Sequence, residues 1–298
     1  MTVGAEPWQL PGVLSLPKGD GPFPAIVLVH GSGPNDRDAT IGPNKPFKDL
    51  AWGLATQGIA VLRYDKRTKA HQAKMAKMAA GLTVKEETID DALSAVGLLQ
   101  SNASIDPERI FILGHSLGGY VIPRIAMGNK DGVIAGFIIL AGNTRGIEVL
   151  TWEQVNYFLS LDGSLSEMDK EQLTALKEQL DLVKSEDLAS QDPPPDILGA
   201  PASYWLDLRD YDPPVLATKI EQPMLILQGE RDYQVTMEDF AGWKATLSDR
   251  DNVKFKSYPK LNHLFMEGSG KSTPGEYQKV AHVAEEVLSD ISAWIKDR

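Results

Sequence analysis

The sequence contains no cysteine. That absence excludes a cysteine nucleophile, a thiolate zinc site and any disulfide framework, and it leaves the redox compartment open. Positive charge is scarce: 30 Lys and Arg stand against 41 Asp and Glu, a formal net charge of −11. A phosphate backbone or an anionic membrane would repel such a chain, so neither nucleic acid nor membrane is expected as a partner. Long apolar runs are missing too. The longest, Ala25–Val29 and Gly136–Ala141, are strand-sized and far below the ~20 residues of a membrane span. The first residues, Met1 to Glu6, have neither a basic n-region nor an apolar h-region, which predicts a cytoplasmic chain as written. An exported protein with a trimmed leader would begin the same way.

What is present is an ordinary globular composition, 42% hydrophobic and 24% charged over 298 residues. That length buries enough surface to fold without disulfide or metal. Short apolar runs alternate with amphipathic patterns, the signature of βαβ units and a mostly parallel twisted sheet flanked by helices. Strands are expected at Ala25–Val29, Ile59–Tyr64, Arg109–Leu113, Gly136–Leu140, Met224–Gln228 and Val253–Tyr258, with an antiparallel edge hairpin at Trp8–Leu16. Helices are expected at Pro46–Gln57, at Thr83–Ser101 (Thr83 and Glu86 forming a capping box) and from Glu276 to Ile295. Between Gly142 and Gln222 the rhythm breaks into helical patterns and the interruption Asp192-Pro193-Pro194-Pro195. A stretch that long is no simple crossover. It reads as a helical cap over the carboxyl edge of the sheet, where open α/β sheets bind ligands. The expected division is a core at 1–143 and 222–298 with a cap insertion at 144–221.

The strongest local motif is Gly114-His115-Ser116-Leu117-Gly118, a G-x-S-x-G between a strand and a helix. That context turns a serine into a nucleophile: it sits in a strained turn, small residues let neighbouring backbones pass, and its hydroxyl projects at a helix N-terminus. Serine needs a base, and the base needs an orienting carboxylate. Among five histidines, only His263 follows the last strand on a loop. His30 ends the first buried strand, His115 faces away from its neighbour Ser116, His71 lies in a basic stretch, and His282 falls opposite the apolar face of the last helix. For the acid, Asp232 is better spaced from its strand than Glu230, which pairs locally; Asp207, Asp210 and Asp212 lie in the cap as solvated groups. Oxyanion donors are expected at the backbone N–H of Leu117 and, in the loop His30-Gly31-Ser32-Gly33, of Ser32.

These residues resemble an α/β-hydrolase-fold serine hydrolase over essentially the whole chain. A tighter similarity is to the EstD-like bacterial carboxylesterases, carried by His30–Asp38 (HGSGPNDRD), Ile41–Phe47 (IGPNKPF), Arg63–Thr68 (RYDKRT) and Gly114–Gly119. Such esterases often carry an additional N-terminal domain, which is not in this sequence. The resemblance implies cleavage of short-chain carboxylic esters through an acyl-enzyme on Ser116, with His263 as base, Asp232 as its orienter and no metal or organic cofactor. A small-molecule ester is the expected partner.

Asp65, Lys66 and Arg67 read as ion pairs pinning the HGSG loop through Asp36 or Asp38, with a substrate carboxylate on Arg67 as the alternative. Trp152, Tyr157, Phe158, Tyr204, Trp205 and Tyr211 supply the aromatic surface of the cap. A substrate pocket is expected from Trp152, Tyr157 and Tyr204 together with Phe265 and Met266. A serine at the elbow argues against a dehalogenase or an epoxide hydrolase. A peptidase or amidase and a thioesterase or acyltransferase remain as alternatives, separable by matched ester, amide and thioester substrates, as does a ligand-binding protein on a hydrolase scaffold, which would show tight stoichiometric binding without turnover.

Overall fold

Ala25–Val29 is apolar at every position because both faces of its strand are covered. In the computed structural model, which describes residues 1–78, 81–191 and 196–298, alternate side chains of this strand enter two different cores. Ala25, Val27 and Val29 join Ala92, Val96, Leu99, Ile122, Ile125 and Trp243 on one face. Ile26 and Leu28 join Phe47, Leu50, Leu54, Ile291 and Trp294 on the other. A strand buried on both sides has no polar face to alternate with, as parallel sheets flanked by helices require. Each such aliphatic side chain contributes roughly 1.5–3 kcal/mol by leaving water.

The chain opens with β1 (Thr2–Val3) and β2 (Leu10–Ser15), followed by β3 (Phe23–Val29), α1 (Pro46–Thr56), β4 (Ala60–Tyr64), α2 (Arg67–Ala70) and α3 (Gln72–Lys77). A π-helical turn at Lys85–Ile89 leads into α4 (Asp90–Gln100), then β5 (Ile105–His115), α5 (Leu117–Tyr120), α6 (Ile122–Gly128) and β6 (Ile134–Leu140). Next come α7 (Ile147–Leu159), α8 (Glu167–Lys184), a 3₁₀ turn at Glu186–Ser190, the short pair β7 (Asp196–Ile197) and β8 (Ala200–Pro201), α9 (Ala202–Leu208) and α10 (Pro213–Ala217). The chain closes with β9 (Met224–Gly229), α11 (Met237–Leu247), β10 (Val253–Tyr258) and α12 (Glu285–Lys296). The main sheet has eight strands in the order β1-β2-β4-β3-β5-β6-β9-β10. Neighbours from β4 to β10 run parallel, and β2 pairs antiparallel with both β1 and β4. Among the described residues no helix is long and apolar enough to cross a membrane.

The interruption expected at Asp192–Pro195 lies outside the described residues. The last helix differs from expectation: it begins at Glu285, not Glu276, and Val280, assigned to its apolar face, is exposed. The reason is a competition for backbone groups. Asn44 donates to the Tyr277 carbonyl (2.9 Å) and accepts from the Ala281 N–H (2.8 Å), and Asp49 accepts from the Val283 N–H (3.2 Å). Those groups are taken by Asn44, in the loop before α1, and by Asp49, in the first turn of α1, and so cannot enter an i→i−4 ladder.

Two histidines close the sheet beneath the site. His30 stacks on Phe47, with ring centroids 4.7 Å apart, and its Nε2–H donates to the Tyr64 carbonyl at 2.6 Å. Its Nδ1 has no partner among the described residues. His115 donates through Nε2 to the His263 carbonyl at 2.9 Å. Burial, which penalises the charged ring, pulls His30 from 6.5 to about 4 and His115 from 6.5 to about 3. Both folded values lie below the unfolded one, so the unfolded chain takes up protons first. The stability these rings contribute is therefore complete above pH 6.5 and is lost as the pH falls toward 4. Denaturant unfolding at stepped pH checks this: His30→Gln, which keeps a donor for Tyr64, is expected to reduce the slope of stability against pH in that window by up to about 1.4 kcal/mol per pH unit.

Candidate active site

Ser116 lies between β5 and α5 with φ 56° and ψ −120°, a conformation that side chains normally avoid and that persists only where the surroundings impose it. The surroundings are visible in the two flanking glycines. A Cβ on Gly114 would stand 2.2 Å from the Gly118 carbonyl oxygen, and one on Gly118 would stand 2.3 Å from that of Val29. The turn is folded tightly on itself and pressed against the end of β3. The N–H of Ser116 donates to the Leu140 carbonyl (2.9 Å) at the end of β6, so three strand ends hold the turn.

The base and acid expected from sequence come together. His263 Nδ1 stands 2.6 Å from Asp232 Oδ2, and both residues are buried. Asp232 also accepts from the N–H groups of Gln234 (2.7 Å) and Val235 (3.1 Å) and from Gln228 Nε2 (3.2 Å). These donors keep the carboxylate aimed at the ring, and the bond in turn selects the His263 tautomer with Nε2 free to accept a proton. The loop after β10 is fixed by Asn262, whose Oδ1 accepts from the N–H groups of Leu264 (3.0 Å) and Met266 (3.1 Å). Ser116 and His263 line one cavity of about 80 Å³ with Gly31, Ser32, Asn35, His115, Gln234 and Leu264. Among the described residues the Ser116 hydroxyl makes no hydrogen bond; the nucleophile–base bond of an unliganded enzyme is often long and shortens when substrate arrives.

The loop after β3 passes close to the serine: a Cβ on Gly31 would sit 3.2 Å from Ser116 Cβ. Asn35 Nδ2 donates inward to the carbonyls of Ser32 (2.9 Å) and Gly31 (3.2 Å), which curls the loop around itself. The N–H groups of Ser32 and Leu117 make no hydrogen bond among the described residues and remain available as donors. The pinning expected from Asp65, Lys66 and Arg67 exists with different partners. Arg37 clasps Asp65 through two parallel bonds of 2.9 Å. Lys66 reaches Gly31 O at 2.9 Å and Glu87 at 2.7 Å. Arg67 is buried against Asp91, with Nε 3.0 Å from Oδ2, and so pairs with neither Asp36, Asp38 nor a substrate. Asp38 instead takes Arg63 (3.0 Å) and Lys45 (3.1 Å).

Of the expected pocket residues, Tyr204 alone borders a cavity next to the serine loop. That cavity, about 560 Å³, is bounded by Ser32, Gly33, Pro34, Thr68, Met75, Leu82, Glu87, Ile147, Leu198, Ala200, Tyr204 and Trp205. Trp152 and Tyr157 line a separate recess of about 280 Å³ with Tyr233 and Lys271, and the Tyr157 hydroxyl donates to the Ser272 carbonyl at 2.9 Å. Phe265 is buried against Tyr258 in the core under α12, and Met266 is buried with Tyr233, Leu264 and Tyr277. They support the His263 loop from behind and do not border its cavity.

The remaining candidates have other partners. His71 Nε2 donates to the Gln9 carbonyl (2.8 Å), His282 lies before α12 beside Asp49 (3.1 Å), and Glu230 accepts from Ser257 Oγ (2.7 Å). Asp207 pairs with Arg124 (2.7 Å), and Asp212 caps α10 through the Val215 N–H (3.0 Å). Sequence reasoning passed over Gln228, Asn35 and Glu87. Gln228 is the one polar side chain in an otherwise apolar run before Asp232, a signal that could have marked it.

Residues 24–268 match the family described as serine aminopeptidase, S33. The chain is 46% identical over 289 residues to Esterase EstD of Thermotoga maritima, covering 96% of this chain and 65% of that esterase; it thus spans just under two thirds of the relative's length. Among solved structures, Est1E of Butyrivibrio proteoclasticus superposes with a TM-score of 0.63 at 16% identity, covering 100% of this chain and 99% of that one. An acylaminoacyl peptidase of Pyrococcus horikoshii superposes with a TM-score of 0.59 at 16% identity, covering 99% of this chain and 40% of that one. At such identities the superpositions establish the fold, which an esterase and a peptidase share here. The chain belongs to the serine aminopeptidase S33 family of α/β-hydrolases.

Proposed function

We propose that this protein is a serine hydrolase that cleaves short-chain carboxylic esters through an acyl-enzyme on Ser116. The observation that carries the reading is convergence: the Ser116 hydroxyl, the His263 ring held by Asp232, and the Ser32 loop with its unbonded N–H meet at one cavity of about 80 Å³. The 46% identity to a named esterase over 96% of the chain supports ester over amide.

In this mechanism His263 takes the Ser116 proton as the oxygen attacks the ester carbonyl. The N–H groups of Ser32 and Leu117 hold the oxyanion, each such donor contributing about 3 kcal/mol to the transition state. The alcohol leaves with the proton from His263. Water then attacks the acyl-enzyme by the same route, and Asp232 stabilises the imidazolium throughout. The helices at 144–221 act as a cap on the cores at 1–143 and 222–298, bounding the larger cavity through Ile147, Leu198, Ala200, Tyr204 and Trp205.

Hydrolysis of p-nitrophenyl esters from acetate to dodecanoate tests the reading. Turnover is expected to peak at short chains, to exceed that of matched amides and thioesters, and to fall by several orders of magnitude in Ser116→Ala. Equal rates in wild type and variant would overturn it. Asp232→Asn is expected to lower kcat by about 10⁴ with little change in fold, because the amide can favour the wrong His263 tautomer. Gly118→Ala forces a methyl into the Val29 carbonyl; thermal melting should show a loss of several kcal/mol or failure to fold.

A further inference from the structure

Lys66 is 2% exposed and Glu87 is 7% exposed. An ion pair at that depth is no efficient source of stability, since desolvating both charges offsets most of their attraction. Its placement is more informative. One ammonium proton of Lys66 goes to Gly31 O at 2.9 Å and the Glu87 carboxylate lies 2.7 Å away. The other Glu87 oxygen accepts from the Tyr204 hydroxyl at 2.8 Å, and Tyr204 belongs to α9, in the segment between β6 and β9. Burial and the neighbouring carboxylate push that hydroxyl well above its ordinary pKa, so it stays a donor at neutral pH.

Gly31 O belongs to the same peptide unit as the Ser32 N–H. That peptide is trans, so its carbonyl and N–H point in opposite directions. Gly31 O also accepts from Asn35 Nδ2 at 3.2 Å; the shorter, charged contact from Lys66 helps fix the plane of the peptide, with the N–H directed away from Lys66, and polarises the unit so that the N–H becomes a stronger donor. Ser32 borders both the cavity at Ser116 and the larger one bounded by Tyr204. We propose that Lys66 is a positioning residue for the oxyanion hole: it orients and polarises the Gly31–Ser32 peptide, and the chain Tyr204–Glu87–Lys66 links the helical insertion to that donor. This rests on the hydrolase reading of Ser116, and it predicts an effect on the transition state rather than on substrate binding.

The test replaces the pair together, Lys66→Met with Glu87→Leu, so that no lone charge is left buried. In a variant that melts cooperatively, kcat on p-nitrophenyl butyrate is expected to fall about 10- to 100-fold with KM nearly unchanged, less than or equal to the loss of a whole donor. Affinity for a butyl trifluoromethyl ketone, which adds the serine oxygen to give a tetrahedral alkoxide, should fall by the same factor. Unchanged kcat, or a change in KM alone, would overturn the proposal. If the double variant does not fold, Tyr204→Phe removes one hydroxyl and should lower kcat a few-fold at constant KM; no change there overturns it equally. Wild type in the same assay separates the two ideas. If it turns over no ester, the esterase reading fails. The rate at which a fluorophosphonate labels Ser116, fluoride leaving as the serine oxygen bonds phosphorus, then decides the Lys66 proposal, since the phosphonyl oxygen occupies the same hole. Equal labelling of wild type and variant would reject it.

Discussion

The close approach of the Ser116 turn to the end of β3 is the constraint on which the rest of the site depends. With Gly118 against the Val29 carbonyl and Gly31 against Ser116 Cβ, the serine and the Ser32 loop cannot move independently. A positive-φ serine is unfavourable in isolation, and it is held because β5 is central in the sheet, paired with β3 on one side and β6 on the other. The twin apolar cores covering those strands supply the rigidity. Local strain at Ser116 is thereby maintained by burial far from it.

Around that fixed point the structure arranges charge in two ways. Asp232 is surrounded by donors from the chain beside it, so its aim is set locally by Gln228, Gln234 and Val235. The Ser32 loop is instead held from a distance, by Arg37–Asp65 on the partly exposed side and by Lys66–Glu87 on the buried side. The first arrangement orients the His263 ring. The second ties the loop to α4's leading turn and, through Tyr204, to the segment between β6 and β9.

How much of this was legible in the sequence depends on the range of each interaction. The strand at Ala25–Val29 and the turn at Gly114–Gly118 were readable because hydrophobic periodicity and glycine sterics act over a few residues. The last helix was misjudged at its start because Asn44 and Asp49, more than 200 positions away in the chain, capture the backbone at 277–283. Asp65, Lys66 and Arg67 read as pinning the HGSG loop through Asp36 or Asp38, or as meeting a substrate at Arg67, because they follow a strand beside that loop; in space Arg67 is buried with Asp91. Phe265 and Met266 adjoin His263 in the chain, yet both side chains point into cores behind its loop.

The sequence by itself determined the sheet type and the tight turn at Gly114–Gly118, since each follows from short-range sterics or from repeating burial. Only the tertiary structure decided which cation holds the Ser32 loop, which aromatic residues border the larger cavity and where the final helix begins. Those outcomes are choices among partners of equal chemical type. Such choices are settled by proximity and shared burial, which no local pattern in the chain encodes.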